Sequence, residues 1–231
     1  MNTKRLLLWA SATLLAMSSL SVQAVPALYD YGFNIDGTVS MPSLGDPVPA
    51  PVDISAFNDV TGMGIITATI SGAGAHSFDA FFDHEIDEAI NTFFNEIGTS
   101  SGVAAAGQSW EIDEPGWANG DIFENFQLSA LDNGVGTSVY GDTLFPDDVS
   151  MAMGWDFNLL AGETATISLF LGNIAGSGFF LEHYDPDSDE SIFLRSALRI
   201  DGGGQVPEPS ILLLLGIGLA GMVVNRRRNK A

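Results

Sequence analysis

Four acidic side chains near the C-terminal end have the spacing of a calcium-binding loop. Asp185, Asp187 and Asp189 stand at alternate positions, and Glu190 follows directly. Calcium needs several oxygen ligands, which carboxylates on a curling loop can supply. The segment lacks the glycine and the glutamate that an EF-hand loop has at its sixth and twelfth positions. The pattern therefore predicts either a calcium site or a solvated acidic turn, and both remain open.

A second acidic group and the histidines offer other metal ligands. The acids are Asp83, Glu85, Asp87, Glu88 and Glu96, and the chain's three histidines are His76, His84 and His183. His84 and Glu88 would share a face if their segment were helical. A zinc or iron site is the sharper hypothesis, but no spacing such as His-Glu-x-x-His occurs. We expect structural histidines, and calcium is the candidate ion for the acids.

Two carboxylates and three tryptophans have the chemistry of a sugar site. Glu111 and Asp113 would lie on one side of a strand, about 7 Å apart along the chain. Paired carboxylates can hydrolyse glycosides, and Trp110, Trp117 and Trp155 could stack on sugar rings. Trp117, in a Pro-Gly turn, is the best candidate for glycan contact, whereas the other two tryptophans fit half-buried strands. Since no Gly-x-Ser-x-Gly nucleophile or phosphate-binding glycine loop is present, we expect no enzyme activity.

The elements that must position these residues are short strands separated by turns. Residues 28–41 alternate loosely, and the proline-rich residues 41–51 predict an extended surface loop. The other predicted strands are residues 64–71, 108–113, 122–130, 150–159, 164–171, 178–184 and 191–200. Many short strands with regular turn signals predict a mainly β fold, an antiparallel β-sandwich with at most one short helix.

Residues 78–97 give two conflicting signals. Their apolar side chains recur at gaps of three and four, which is typical of a helix. Phe78, Ala80 and Phe82 also alternate as in a strand. We expect a strand to about Phe82 followed by a short helix or loop, with one continuous helix as the alternative.

The charge of the chain is concentrated in its body, residues 25–205. These 181 residues hold 28 of the 29 acids and only Arg195 and Arg199 as bases, so their net charge is −26 with neutral histidines. A body of this size suits one domain with its own core. Its charge argues against nucleic acid or anionic lipid as a partner. Cysteine is absent, so the core must form without disulfides.

The N-terminal residues 1–24 have the pattern of a secretory signal peptide. Lys4 and Arg5 precede an apolar stretch, residues 6–17, and a small-residue cleavage site ends at Ala24. We therefore expect export through the inner membrane and cleavage after Ala24.

The C-terminal residues 206–231 combine three elements in a fixed order. Pro207, Glu208 and Pro209 precede the apolar residues 211–224, and Arg226, Arg227 and Arg228 follow them. As a helix, the 14 apolar residues span about 21 Å, less than the roughly 30 Å of a bilayer core. The arginines would stay on the cytoplasmic side, with the body across the membrane. The segment is therefore a marginal permanent anchor and suits a temporary one.

This tail resembles the PEP-CTERM sorting signal of Gram-negative bacteria. The resemblance implies recognition by exosortase, an integral-membrane enzyme that is thought to cut near the Pro-Glu-Pro motif. It also implies delivery to the cell surface or the extracellular polysaccharide matrix. Blocks within residues 78–200 resemble one group of PEP-CTERM proteins, which adds no activity to this expectation.

These observations predict an exported surface or matrix protein. It would be a structural or interaction protein associated with exopolysaccharide or biofilm, with exosortase and, transiently, the inner membrane as partners. It would need no cofactor, with calcium as the candidate exception. The alternative is a carbohydrate-binding module for extracellular polysaccharide that uses calcium. A glycan-acting enzyme built on Glu111 is a third hypothesis.

Overall fold

The computed structural model describes residues 26–86, 95–115, 120–136 and 148–202. Within these ranges the chain is mainly β, with twelve strands, one α-helix and a 3₁₀ turn at Pro42–Leu44. The strands are β1 (Pro26–Ile35), β2 (Thr38–Ser40), β3 (Val52–Asn58), β4 (Met63–Ser71), β5 (Gly74–Ile86), β6 (Ile97–Ser101), β7 (Gln108–Asp113), β8 (Val135–Gly136), β9 (Ser150–Leu159), β10 (Thr164–Gly172), β11 (Phe180–Asp185) and β12 (Glu190–Asp201), and the helix is α1 (Ile122–Leu128).

The strands form two six-stranded sheets. The first sheet has the order β2-β1-β5-β9-β7-β8, and the second has the order β3-β4-β10-β12-β11-β6. Neighbouring strands are antiparallel except for the short pair β7 and β8, which is parallel. The fold is thus rich in antiparallel pairs, as the turn signals predicted.

One hydrophobic core joins the two sheets. Strand β10 illustrates how alternation along a strand builds this core. Alternate residues such as Ile167 and Leu169 are buried, while Thr166 and Ser168 between them are less buried. Aromatic residues of β1 and β5 meet aliphatic residues of β4, β10 and β12 in this core, including Phe33, Phe78, Phe82, Ile66, Ile167 and Leu194. Burying each such side chain contributes about 1.5–3 kcal/mol. A core shared by two sheets is what a β-sandwich requires.

A smaller second core covers the outer face of the first sheet and corrects one prediction. Residues 122–130 were predicted as a strand from their β-forming side chains, but Ile122–Leu128 is a helix. Ile122 and Phe126 are four residues apart, so a helix places both on one face against Phe81 of β5. Asn34 Nδ2 donates to the carbonyls of Phe126 and Gln127. These carbonyls at the C-terminal end of the helix thereby gain hydrogen-bond donors.

The other strand predictions differ in their outcome. Strands at residues 108–113 and 150–159 are confirmed at both ends. Strand β5 continues past Phe82 to Ile86, so the expected change of structure after Phe82 is wrong over these residues, and residues 87–94 lie outside the described ranges. Strands β3 and β6 were not predicted.

The two terminal segments lie outside the described residues. This concerns the signal peptide with Ala24, the Pro207-Glu208-Pro209 motif and the arginine cluster. Over the ranges that the structure describes, no helix combines the length and hydropathy that a membrane crossing requires.

Candidate functional site

Three carboxylates gather at the outer face of β7. Glu111 and Asp113 lie on one side of this strand, as predicted, and Asp121 precedes α1. One carboxylate oxygen from each lies within 4.8 Å of the others, the only such group of three among the described residues. An all-oxygen set of this kind suits a hard cation such as calcium.

Hydrogen bonds hold two of these carboxylates in place. Asn125 Nδ2 of α1 donates to Glu111 Oε1 at 3.1 Å and to Oε2 at 3.2 Å, and the backbone N–H of Asp132 donates to Oε2 at 3.1 Å. Asp113 accepts the backbone N–H groups of Glu114, at 2.7 Å, and Asp121, at 3.3 Å. The carboxylates therefore fasten the helix and its flanking loops to the sheet.

The electrostatics of this group favour binding of positive charge. Burial raises the pKa of Glu111 to about 7 and that of Asp113 to about 6, and in both cases the nearby Asp121 and Asp132 add to the increase. When Glu111 and Asp113 lose their protons near neutral pH, their negative charges lie close together at a partly desolvated site. A proton or a divalent cation would relieve that repulsion.

The acidic turn at residues 185–190 has a different geometry from a calcium loop. Asp185 is buried, and its Oδ1 and Oδ2 accept the backbone N–H groups of Asp187 and Ser188 at 2.9 and 3.2 Å. Asp189 has a left-handed backbone with φ of 59° and accepts the hydroxyl of Tyr184 at 3.0 Å. Glu190 begins β12 opposite Asp185. Asp185 thus closes the hairpin between β11 and β12, and calcium binding here stays a prediction.

The second predicted acidic group is divided between the two faces of the first sheet. Asp83 lies on the outer face, where the hydroxyl of Ser150 donates to it at 2.8 Å. Glu96 is buried and accepts the backbone N–H groups of Ile86 and Val149 at 3.4 and 3.3 Å. Asp87 and Glu88 lie outside the described residues.

Two histidines join Glu96 in what we call the buried histidine layer, formed by His84, Glu96 and His183. Both rings are completely buried, and His183 Nε2 lies 2.6 Å from Glu96 Oε2. Burial lowers the pKa of His84 to about 3 and that of His183 to about 4, and it raises the pKa of Glu96 to about 9. The histidines were expected to be structural, and no sequence spacing indicated that the fold brings His183 to Glu96.

A cleft of about 670 Å³ opens on the outer face of the first sheet, near α1. Its lining combines the aromatic Tyr29 and Phe123 with the carboxylates of Asp30 and Asp83. The Tyr29 side chain is 70 % exposed because a bulge between Leu28 and Asp30 interrupts the pairing of β1 with β5. Aromatic platforms beside hydrogen-bond acceptors can bind sugars, but no sequence pattern indicated this cleft.

The tryptophans divide as their strand positions suggested. Trp155 is buried and its Nε1 donates to Ser196 Oγ at 2.9 Å, while Trp110 is partly buried with its ring 5.2 Å from that of Phe179. Both belong to the core or its margin, as expected for tryptophans on half-buried strands. Trp117 lies outside the described residues, although Pro115 lines the cleft.

The comparisons with known proteins identify the tail. Residues 205–228 match the family model of the PEP-CTERM protein-sorting motif, which includes Pro207, Glu208, Pro209 and the three arginines. This motif implies exosortase-dependent passage across the membrane toward the cell surface. No curated protein and no solved structure matches the chain.

Proposed function

Since residues 205–228 form a PEP-CTERM protein-sorting motif, we propose that exosortase cuts this exported chain near Pro207-Glu208-Pro209. The signal peptide is removed after Ala24, and the apolar residues 211–224 hold the chain in the inner membrane only until the cut. The acidic β domain then reaches the cell surface or the extracellular matrix. The motif carries this proposal.

A non-enzymatic role in the polysaccharide matrix follows as part of this proposal. The body carries 26 net negative charges, which favours partners without negative charge and argues against nucleic acid. Both oxygens of Glu111 are engaged by Asn125, which supports a structural role for this carboxylate over catalysis. We assign the domain to structural or interaction proteins of exopolysaccharide and biofilm.

Processing can be tested by mass spectrometry of the protein from native cells. We expect the wild-type protein to lack the residues after the cut, including the arginine cluster. The triple variant Pro207→Ala, Glu208→Ala, Pro209→Ala should keep them and stay in the membrane fraction. A variant with alanine at Pro47, Pro49 and Pro51, in the surface loop, is the matched control and should be cut normally. An intact arginine end on the mature wild-type protein would contradict the proposal.

A second candidate function, carbohydrate binding, is favoured by the cleft between Tyr29 and Phe123. Stacking on exposed rings excludes water from the apolar faces of a sugar, while Asp30 and Asp83 can accept its hydroxyl groups. The four residues carry no positive charge, so the cleft suits a neutral sugar better than a uronate. Calcium would act at the nearby carboxylates Glu111, Asp113 and Asp121 in a calcium-dependent version of this function.

Replacing Tyr29 by alanine should weaken binding to neutral polysaccharide by about tenfold, because one stacking surface is lost. Binding can be measured against immobilised neutral glycans and the polysaccharide of the native matrix, with calcium and with EDTA. Tyr184→Ala, on a strand of the second sheet, is the matched control and should bind normally. Absence of wild-type binding to every neutral glycan, or equal binding by Tyr29→Ala, would remove this candidate.

A further inference from the structure

Arg195 is an unpaired cation in a strongly acidic domain. Residues 25–205 hold 28 acids, and their arginines are Arg195 and Arg199. Arg199 pairs with Asp201 at 2.8 Å, whereas among the described residues no carboxylate lies within ion-pair distance of Arg195. In the same part of the chain the Arg195 guanidinium donates no hydrogen bond. Its N–H donors are therefore available to a ligand.

Two contacts hold the Arg195 side chain in place. Its Cζ lies 4.3 Å from the centre of the Phe170 ring, on the neighbouring strand β10. The backbone at Gly176, in the loop after β10, comes so close that a Cβ there would lie 2.6 Å from Arg195 Nε. A guanidinium that lies over a ring keeps N–H groups at its edge, where they can bind a carboxylate through two parallel hydrogen bonds. Because the contacts already order this side chain, binding costs little conformational entropy.

A groove of about 220 Å³, which we call the Arg195 groove, lies beside this guanidinium on the outer face of the second sheet. Gly172 leaves it open, because no heavy atom lies within 4 Å of the place where a Cβ would be. A groove of this size suits a group of about one ring, since sites for drug-sized ligands have roughly 300–1,000 Å³. Apart from Arg195, its described lining is apolar and includes Ile65, Phe170, Gly172, Ile174 and Phe193.

We propose that the Arg195 groove binds a small carboxylic acid with an apolar body, such as an aromatic acid or a short fatty acid. The carboxylate pairs with the guanidinium of Arg195. The apolar body lies over Gly172, against Phe193 and Ile174. Ile174 is 81 % exposed, so a ligand there removes apolar surface from water.

Charge and lining together determine this class of ligand. One guanidinium balances one carboxylate, whereas a polyanion would be repelled by a body with a net charge of −26. Sugar hydroxyl groups would lose water against the apolar lining without gaining partners there, unlike at the cleft beside Tyr29. Glu182, on the neighbouring strand β11, does not compete for Arg195, because it accepts the hydroxyl groups of Ser191 and Thr99.

The test is a ¹H–¹⁵N NMR titration of the full-length chain in detergent micelles near pH 6, with sodium benzoate as the probe. The Nε–H signal of Arg195 is identified by its absence from Arg195→Met, and it reports binding at the groove itself. We expect it to shift and saturate with a Kd of about 1 mM, an ordinary affinity for a ligand of about nine non-hydrogen atoms. Benzyl alcohol, which lacks the carboxylate, and glucuronate, which lacks the apolar body, should bind at least about 10-fold more weakly.

Two variants separate the contribution of the charge from that of the groove. Arg195→Met keeps an apolar stem on Phe170 and should weaken benzoate binding at least about 10-fold, measured through the backbone amide signal of Gly172. Gly172→Leu fills the groove and should abolish binding while the Arg195 Nε–H signal remains. Arg199→Met, on the same strand, is the matched control and should bind benzoate like the wild type.

Three results would overturn the proposal. The first is a wild-type Arg195 signal that benzoate does not shift up to about 20 mM. The second is unchanged benzoate affinity in Arg195→Met with a native circular dichroism spectrum. The third is tighter binding of glucuronate than of benzoate, which would assign the groove to a polar carboxylate such as a uronate. If Arg195→Met does not fold, Gly172→Leu decides, and normal benzoate binding by that folded variant refutes the site.

Discussion

The metal-free protein should be most stable near pH 5 and should lose stability as the pH rises to 8. Burial raises the pKa of Asp79 from 3.8 to about 6, that of Asp113 from 3.8 to about 6 and that of Glu111 from 4.5 to about 7. The folded protein therefore binds these protons more tightly than the unfolded chain. The resulting stability is complete below about pH 4 and is lost as the pH passes 6 to 7.

The buried histidines act in the opposite direction at lower pH. His84 and His183 have folded pKa values of about 3 and 4, below the ordinary 6.5. Their burial costs stability as the pH falls from 6.5, because the unfolded chain then binds protons that the folded protein resists. Above pH 6.5 the histidines are neutral in both states and no longer contribute, and the remaining loss up to pH 8 comes from Glu111 and from Glu96, whose folded pKa is about 9.

Asp79 provides the sharpest test of this pH dependence. Its side chain is 3 % exposed on β5, and among the described residues Oδ2 has no hydrogen-bond partner. A pKa of about 6 means that ionisation at pH 8 costs about 3 kcal/mol relative to the unfolded chain. Asp79→Asn keeps the shape without the charge, so it should raise the free energy of unfolding at pH 8 by about 2–3 kcal/mol.

Urea unfolding in EDTA at pH 5, 6.5 and 8 measures this effect. The Asp79→Asn variant should show a flatter pH profile than the wild type. Asp59→Asn removes one negative charge from an exposed position and should keep the wild-type profile. Equal stabilities of the wild type and Asp79→Asn at pH 8 would show that Asp79 does not titrate as its burial implies.

Replacing Phe126 by alanine should lower the free energy of unfolding by about 3–5 kcal/mol, because it leaves a cavity under α1. Phe126 is fully buried, with its ring 5.6 Å from that of Phe81 on the sheet. Leu128→Ala is the matched control on the same helix. Its side chain is 67 % exposed, so the change should be within about 0.5 kcal/mol.

Thermal and urea unfolding compare the two helix variants with the wild type. Similar stabilities for Phe126→Ala and Leu128→Ala would mean that α1 contributes little to the fold and that the second core is dispensable. Near-ultraviolet circular dichroism gives an independent readout, since Phe126→Ala should also disturb the aromatic cluster with Phe123.

Strands with strong alternation were predictable from sequence, whereas features that depend on contacts between distant residues were not. In β9 and β10 apolar side chains recur at every second residue, and the residue types favour strands, so both signals predict the same structure. At residues 122–130 the local preference of Ile122 and Phe123 for strands was overruled by packing on Phe81, which is distant in sequence. The four-residue spacing of Ile122 and Phe126 is compatible with a helix, but only the fold shows that they pack against Phe81.

The candidate sites also combine residues that a local pattern predicts with residues that only the fold brings together. Glu111 and Asp113 were found by their alternation on one strand, but Asp121 joins them through the fold. His84 and His183 are about a hundred positions apart and lie on strands of different sheets, so the layer exists only through the fold. Tyr29 became a candidate through a local bulge, which alternation along β1 does not reveal.

The last strand ends at Asp201, four positions before the sorting motif begins. Strand β12 is an interior member of the second sheet, hydrogen-bonded to β10 on one side and β11 on the other. A cut within the motif therefore takes no hydrogen-bonded residue of β12. Under the proposed processing, the domain would fold while still tethered, and its detachment would leave the folding equilibrium unchanged.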